Sequence, residues 1–566
     1  MSFALSAGVT GLQAHQKMLD VASNNLANVN TTAFKAKTIN FSELMTETIK
    51  KASQPTATVG GTNPQQMGGG VDISGISPNM AQGNIVNTGN PLDLALEGEG
   101  YFVASDGSRD LYTRAGSFAV DANSYLVDPT NGYHVQRIGS VGESDAFQTA
   151  GISNIRVPYD VAMAAKATSL MTVAGNLSAD AALTTAQTNV LTSNVGYTTN
   201  SGTTALVTSE LDQLDQFSGT LGTTPTITAS GFDPSGNALA DATGLAVTGT
   251  TTLQDVIDHL NNNVLTSTEQ VASLVGGKIR VTDVSSGYSL SDVALTYAEV
   301  TPHATDPATL TMPAYFENST VGGDQVKYVN STIYDSQGGK HVLSAAFTRT
   351  GTANTWDMVL TSITGDINAI TAGNRRIRGI EFSATDGSYS GLNSTIGDTA
   401  QFVVTFARDT ANPQTISIGM GTTSQLDGLT QFAGNSTAVA RGQDGYEAGR
   451  LSTVSVDNEG TVIGAFSNGI KKDIATVQIA LFQNAAALES VGGNYFDSSA
   501  NSGEPVATQA LTGGAGSIHG GSLEKSNADV ATEFVQMIQA QNGFQASART
   551  IRVANDILRE LTSIIR

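Results

Sequence analysis

The side chains in this 566-residue chain that could do chemistry are few and scattered. Six histidines (His15, His134, His259, His303, His341 and His519) are never spaced to share a helix face. Each therefore reads as a surface or turn residue rather than a metal ligand. Asp93, Glu97 and Glu99 come nearest to the paired carboxylates of a hydrolase, but they sit among short strand-like runs and glycines, the setting of a solvated turn. The run Asp121-Ala-Asn123 lacks the ligand count of a calcium loop. Cysteine is absent, which excludes disulfides, thiolate nucleophiles and zinc–thiolate sites. No nucleophile elbow, phosphate-cradling glycine loop, paired-histidine zinc helix or dinucleotide fingerprint occurs. These residues point to no enzyme, no metal and no cofactor.

The spacing with physical content is apolar. Leu5, Leu12, Leu19 and Leu26 recur in steps of seven at the front, and Val530, Met537, Phe544, Ile551, Leu558 and Ile565 do so at the back. A seven-residue repeat keeps one narrow seam turned toward a partner helix. Two such helices at opposite ends of a large body predict a subunit built to polymerise, with the termini together and their stripes completed by neighbouring subunits.

Composition agrees with a structural role. Charged residues are 14% and aromatics 6%, while glycine reaches 60 residues, a profile of Thr/Ser-rich β-domains outside the cell. The net charge of −22 excludes a nucleic-acid binder, which needs a basic face. The ends are electrically mild, and no Lys or Arg occurs between Lys166 and Lys278, so the body is an acidic, solvated surface. No run is long and apolar enough for membrane insertion, and the first residues lack the pattern of a cleaved signal peptide. Export without a cleaved signal is therefore expected.

Local patterns predict a helix from Phe3 to Asn28, weakened by Gly8 and Gly11 and ended by the asparagines Asn24, Asn25, Asn28 and Asn30 in turn or left-handed conformations. Thr38 to Lys51 reads as a short irregular or helical arm, and Pro55 to Gly70 as a long loop. Residues 71–145 alternate as antiparallel strands. A helix is predicted over Thr252–Val264, and strands over Lys278–Val284, His341–Arg349, Thr355–Ile363, Ala400–Arg408, Leu451–Val456 and Val477–Phe482, as half-buried sheet. The closing helix starts at a capping-box-like Ser526–Asp529 and runs to about Ile565.

At SNNLANVNTTAFK, Ser23 to Lys35, the chain resembles the flagellar rod and hook axial protein family, whose signature turn would be Asn24, Asn25, Asn28, Asn30, Phe34 and Lys35. Ala33 stands where that family usually has Gly. GNPLDLALEGEGYF (Gly89 to Phe102) and YTRAGSF (Tyr112 to Phe118) resemble its inner β-domain; STIYDSQGGKHVL (Ser331 to Leu343), with Trp356 downstream, resembles the second domain of its hook members. The segments Ser436 to Gly469 and Leu523 to Ile551 continue the likeness.

The resemblance implies a multidomain α+β chain: long terminal helices in a coiled-coil-like inner layer, with successive, mostly antiparallel β-domains inserted between them. The expected parts are a polymerisation domain (1–30 and 523–566), a linking arm (31–72 and 505–522), an inner β-domain (73–147 and 437–504), a second β-domain (148–174 and 321–436) and an outer insertion (175–320). It further implies a homopolymer, a curved hook tube that transmits torque as a flexible joint. The implied partners are the distal rod protein, the hook cap, the hook–filament junction proteins and the flagellar export apparatus. Two other readings remain open on the residues alone: a distal rod or hook-associated axial protein, and a secreted β-rich adhesin with a helical oligomer stalk.

Overall fold

The computed structural model describes residues 3–139, 147–180, 186–371 and 373–564. It is mostly β, with 43% strand and 14% helix, and its two long helices are terminal. These are α1 (Phe3–Ala27) and α3 (Val530–Ile564), with the short α2 (Leu253–His259) between them in sequence. The chain divides into two compact units: residues 1–163 with 449–566, and residues 164–448.

In the first unit, Lys37–Glu43 pairs antiparallel with Val71–Pro78, and Thr46–Lys50 with Gln65–Gly68. The segment expected to be an irregular or helical arm is thus two strands, and the expected loop ends in one. Their register is set by partners about fifteen to forty residues along, a pairing no local pattern reveals. Beyond them, a sheet interleaves both halves of the chain: Tyr101–Ser105 pairs with Ile479–Leu481, and Asp110–Thr113 with Tyr495–Asp497. Further on, Leu94–Glu97 pairs with Ser517–Gly520, and Ile85–Asn87 with Ser522–Glu524. The returning chain therefore re-enters the first unit strand by strand before α3 begins.

In the second unit, a five-stranded sheet (Val326–Tyr334, Lys340–Arg349, Thr355–Ile363, Arg376–Phe382 and Tyr389–Leu392) shares a core with strands gathered on Leu170–Ser178. Trp356, Phe347 and Phe402 lie at the centre of that core, fully buried. Thr355–Ile363 is buried along nearly its whole length, so it is covered on both faces rather than one. Leu170–Ser178 also departs from the antiparallel expectation, running parallel to both Gln414–Gly419 and Leu429–Phe432. Val439–Gln443 pairs with the same strand, so the expected return to the inner domain at residue 437 falls inside the second unit.

A separate apolar cluster gathers within residues 188–320. Val256, Ile257 and Leu260 of α2 and the π-helical turn after it pack there on Leu191, Ile227, Val281 and Phe316. Helix α2 starts as a full capping box between Thr252 and Asp255. The strands at the two ends of this segment pair with each other, Thr188–Ser193 against Phe316–Thr320.

Two histidines depart from the surface-or-turn expectation. His259 and His341 are buried, each against a carboxylate, Asp241 and Asp335, at 3.1 Å. A buried imidazole needs such a partner, and loop folding supplies one that the sequence separation conceals.

Asp283, in contrast, is buried among neutral donors only: Ser289, Ser291 and Gln270. Burial holds its carboxyl above the usual range. A raised folded-state pKa gives stability that is present at low pH and is lost as pH rises through that pKa. We expect the unfolding free energy of this segment to fall by up to about 1.4 kcal/mol per pH unit in that window. The Asp283→Asn variant should flatten the profile in pH-resolved denaturant titrations, and an unchanged slope would refute the assignment.

Candidate assembly site

Helices α1 and α3 run antiparallel. A Cβ at Gly8 would stand 2.8 Å from Ile551 Cγ1 and one at Gly11 3.0 Å from Ser547 Oγ, while Gly543 abuts the ring of His15. Further along, Asn25 Nδ2 donates to Glu533 Oε1 at 3.0 Å. Apart from the bonded pair Asn25 and Glu533, the buried positions are accordingly small: Gly8, Gly11, Ala14 and Ala22 on α1, and Ala540 and Ala554 on α3. Glycines that weaken an isolated helix here permit close backbone approach.

The heptad residues mostly flank this seam. Leu5, Leu12, Leu19 and Leu26 are half-buried beside it, as are Met537 and Ile551. Val530, Phe544 and Leu558 are exposed, at 41%, 37% and 42%. Ile565 lies outside the described residues. Leucine is too bulky for so narrow a seam, so the apolar stripes are only partly covered within one chain. Phe534, Ile538, Val553, Ile557 and Leu561 of α3 extend that exposed apolar surface.

The turn after α1 is fixed by asparagine amides rather than by left-handed asparagines. Asn25 is fully buried; its Oδ1 accepts from the Lys37 N–H at 2.9 Å and its Nδ2 donates to the Lys37 carbonyl at 2.8 Å. Asn28 donates to the Asn24 carbonyl at 2.9 Å and accepts from Thr31 Oγ1 at 3.1 Å. Asn30 is exposed. The residue with positive φ is Ala33, at 56°, and it is buried. A side chain in that region costs about 1–2 kcal/mol. Ala33→Gly is therefore expected to raise the stability of this unit by roughly 1 kcal/mol, read as a higher denaturant midpoint.

Beyond Ala33 lies a buried ionic cluster. Lys35 Nζ donates to Glu524 Oε1 at 2.7 Å and to the Ala81 carbonyl at 2.9 Å, with both charged side chains almost wholly enclosed. Gly83 N–H donates to the same Glu524 oxygen at 2.7 Å, and Arg114 lies 3.7 Å from the other. Arg114 donates to the carbonyls of Gly98 and Gly100 and stacks over Tyr101. Burial pulls the Lys35 ammonium below its usual pKa, and Glu524 opposes that shift. Beside it, Asn527 Oδ1 accepts from the Ala36 N–H, and its amide donates to the carbonyls of Asn79 and Ala81. One cluster thus ties the N-terminal elbow, the inner sheet and the segment entering α3. Helix α3 is capped by Asp529, which accepts from the N–H groups of Ala531 and Thr532, rather than by Ser526.

The sequence singled out Lys35 and Phe34 but missed Glu524, Arg114, Asn527 and Glu533. Phe34 is half-buried and faces a hollow shared with Ile76, Leu488 and Phe496. The carboxylates weighed as a hydrolytic site have separate partners: Asp93 takes Thr88 and Asn90, while Glu97 pairs with His519. Asp121 accepts from the backbone N–H groups of Asn123 and Tyr125, holding a turn.

Family patterns match along the chain: flagella basal body rod protein at residues 5–35, the D1 domain of flagellar hook protein FlgE/F/G at 95–170, the D2 domain of flagellar basal body protein FlaE at 301–446, and the C-terminal region of flagellar basal body rod FlgEFG protein at 519–564. Paired terminal helices clasped to an inner β-domain, carrying these four patterns, define an axial protein of the bacterial flagellar rod and hook. Flagellar hook protein FlgE of Borreliella burgdorferi is 27% identical over 100% of both chains, and that of Treponema pallidum 28% identical over 100% of both. FlgE of Escherichia coli is 26% identical over 99% of this chain and 100% of its own. This chain belongs to the flagellar hook protein FlgE family. A solved Helicobacter pylori flagellar hook protein FlgE2 superposes with a TM-score of 0.39 at 16% identity, covering 78% of this chain and 100% of that one, too distant to bear on the assignment.

Proposed function

We propose that this chain is the structural subunit of the flagellar hook, a protein without catalytic activity that polymerises with itself into a curved tube connected to the rod. Terminal helices whose large apolar side chains are left uncovered within the monomer carry this reading. In the tube, α1 and α3 of each copy would form a coiled-coil-like inner layer with their neighbours, burying the stripes Leu5–Leu26 and Val530–Ile565. The strand hairpins within residues 37–78 would be the linking arm, and the 188–320 segment the outermost body. A joint that bends under torque needs a firm inner layer and outer contacts that slide. Dry apolar seams supply the first and wet polar β-surfaces the second. The distal rod protein would seat one end, the cap and hook–filament junction proteins the other, and the flagellar export apparatus would deliver each subunit to an extracellular site without a cleaved signal. Seam glycines keep the helices marginal alone, which suits transit as an unfolded chain.

The test is Phe544→Asp and, separately, Leu12→Asp. At exposed or half-exposed positions each should leave monomer stability within about 1 kcal/mol. Burying the charge between subunits would cost several kcal/mol per contact, so electron microscopy should show no tubes. Normal tubes from both variants would place the interface elsewhere. Discrete oligomers from the parent protein would favour an adhesin stalk, and straight tubes a rod subunit.

A further inference from the structure

One sheet of the first unit ends in two unlike edges. It runs from Val506–Thr508 through Ile479–Leu481, Tyr101–Ser105, Asp110–Thr113 and Tyr495–Asp497 to Glu489–Gly492. Five strand spacings of about 4.8 Å set those edges roughly 24 Å apart.

The first edge carries an apolar knob. Leu511, in the loop after Val506–Thr508, is 59% exposed and has a φ of 61°. Its N–H donates to the Gly516 carbonyl at 3.1 Å, and Thr508 Oγ1 donates to the Thr512 carbonyl at 3.2 Å, so the loop is held in that form. A left-handed leucine is strained, and here no burial within the monomer offsets the strain. Val506 is exposed at the same edge. A strained backbone that presents an apolar side chain to solvent is accounted for when that side chain meets another surface.

The opposite edge carries a hollow of about 360 Å³ with Phe34, Ile76, Pro78, Leu488 and Phe496 as its apolar lining. Ile76, Lys37 and Ser490 in its wall are exposed, so it opens to solvent. Lys35, also in the wall, is already neutralised by Glu524. Lys37 has no ion pair among the described residues, and none of the described carboxylates lines the hollow; Glu489, next to Ser490 in sequence, lies outside it. The knob edge bears the converse charge. Glu504, two positions before Val506, is exposed and has no ion pair among the described residues.

We infer that Leu511 of one copy seats in the Phe34–Ile76–Phe496 hollow of the next, with Glu504 facing Lys37. Knob and hollow are different surfaces on opposite edges, so the contact is head-to-tail. It leaves one of each free and repeats, as a tube requires, instead of closing as a two-fold dimer. The inference rests on the reading of this chain as a self-polymerising subunit, and adds a contact outside the terminal helices.

Because the chain has no cysteine, Leu511→Cys and Ser490→Cys can be made in separate full-length proteins. A disulfide needs Cα atoms within about 7 Å, so it forms only where the two edges of different copies meet. Mixed and oxidised under assembly conditions, the two variants should give a mixed dimer at least about tenfold in excess of either homodimer. Leu511→Gly relieves the backbone, so the first unit's thermal midpoint should stay unchanged or rise. The same change should raise the protein concentration needed for tubes at least about tenfold. The inference falls if the mixed dimer is not in excess, if Leu511→Gly forms tubes at the parent's concentration, or if it lowers the midpoint, which would place Leu511 in its own chain's packing. Tubes from the parent without the mixed disulfide overturn this contact alone and leave the hook reading in place. The mixed disulfide without tubes from the parent overturns that reading and leaves the contact.

Discussion

Truncation after Asp529, which removes α3, is expected to abolish tube formation entirely while both β-rich units stay folded. Helix α3 contributes little to the β-cores, because its buried face rests on α1 through Gly8, Gly11 and Asn25. Cutting at Asp529 spares Glu524 and Asn527, so the elbow keeps its ionic cluster and the Asn527 bonds and loses only the Asn25–Glu533 hydrogen bond. Helix α1 would then lose its partner, and 25 residues with two seam glycines do not hold a stable helix in water unaided. Circular dichroism should show loss of helix well beyond the deleted segment, with the strand signal unchanged. Electron microscopy should show no tubes at any protein concentration. Tubes from the truncated chain would remove the terminal helices from the inner layer, and loss of the strand signal would mean that α3 belongs to the β-core after all.

Lys35→Ala is expected to destabilise the first unit by about 3–5 kcal/mol, the cost of leaving a buried carboxylate without its ammonium partner. Glu524 would keep Gly83 N–H and a more distant Arg114 at 3.7 Å, which cannot replace a 2.7 Å contact. A large fall in the first unit's denaturant midpoint, with the second unit unchanged, is the predicted readout. The double variant Lys35→Met with Glu524→Gln should lose less than the sum of the two single changes, because it removes the unpaired charge. Additive effects would show that the two side chains are not energetically coupled. A loss of 1 kcal/mol or less would show that water reaches the site.

Local chemistry made much of the molecule legible. The apolar spacing marked both terminal helices and placed the ends of α1 and α3 within a few residues of where they fall. The helical stretch expected over Thr252–Val264 holds α2 and the turn after it, and the alternation at Thr355–Ile363 marked that strand to the residue. These features rest on hydrogen bonds and side-chain periods contained in a single stretch of chain, so a sequence displays them. The quoted motifs also pointed to the right family.

Tertiary structure alone decided what those elements meet. The heptads predicted stripes that neighbouring subunits complete; within the monomer the closest approach of the two helices belongs to Gly8, Gly11 and Gly543, since only small residues let two helix backbones come so near. The Lys35–Glu524 contact joins residues 489 apart, and no local rule links them until the returning chain pairs with the inner strands. The strands at Lys37–Glu43 and Thr46–Lys50, the covered second face of Thr355–Ile363 and the carboxylates beside His259 and His341 share that origin. Each depends on a partner brought close by folding, and sequence separation carries no record of that distance. The sequence determined the helices, many of the strands and which apolar stripes exist. The fold determined which apolar side chains are buried within the monomer and which stay exposed.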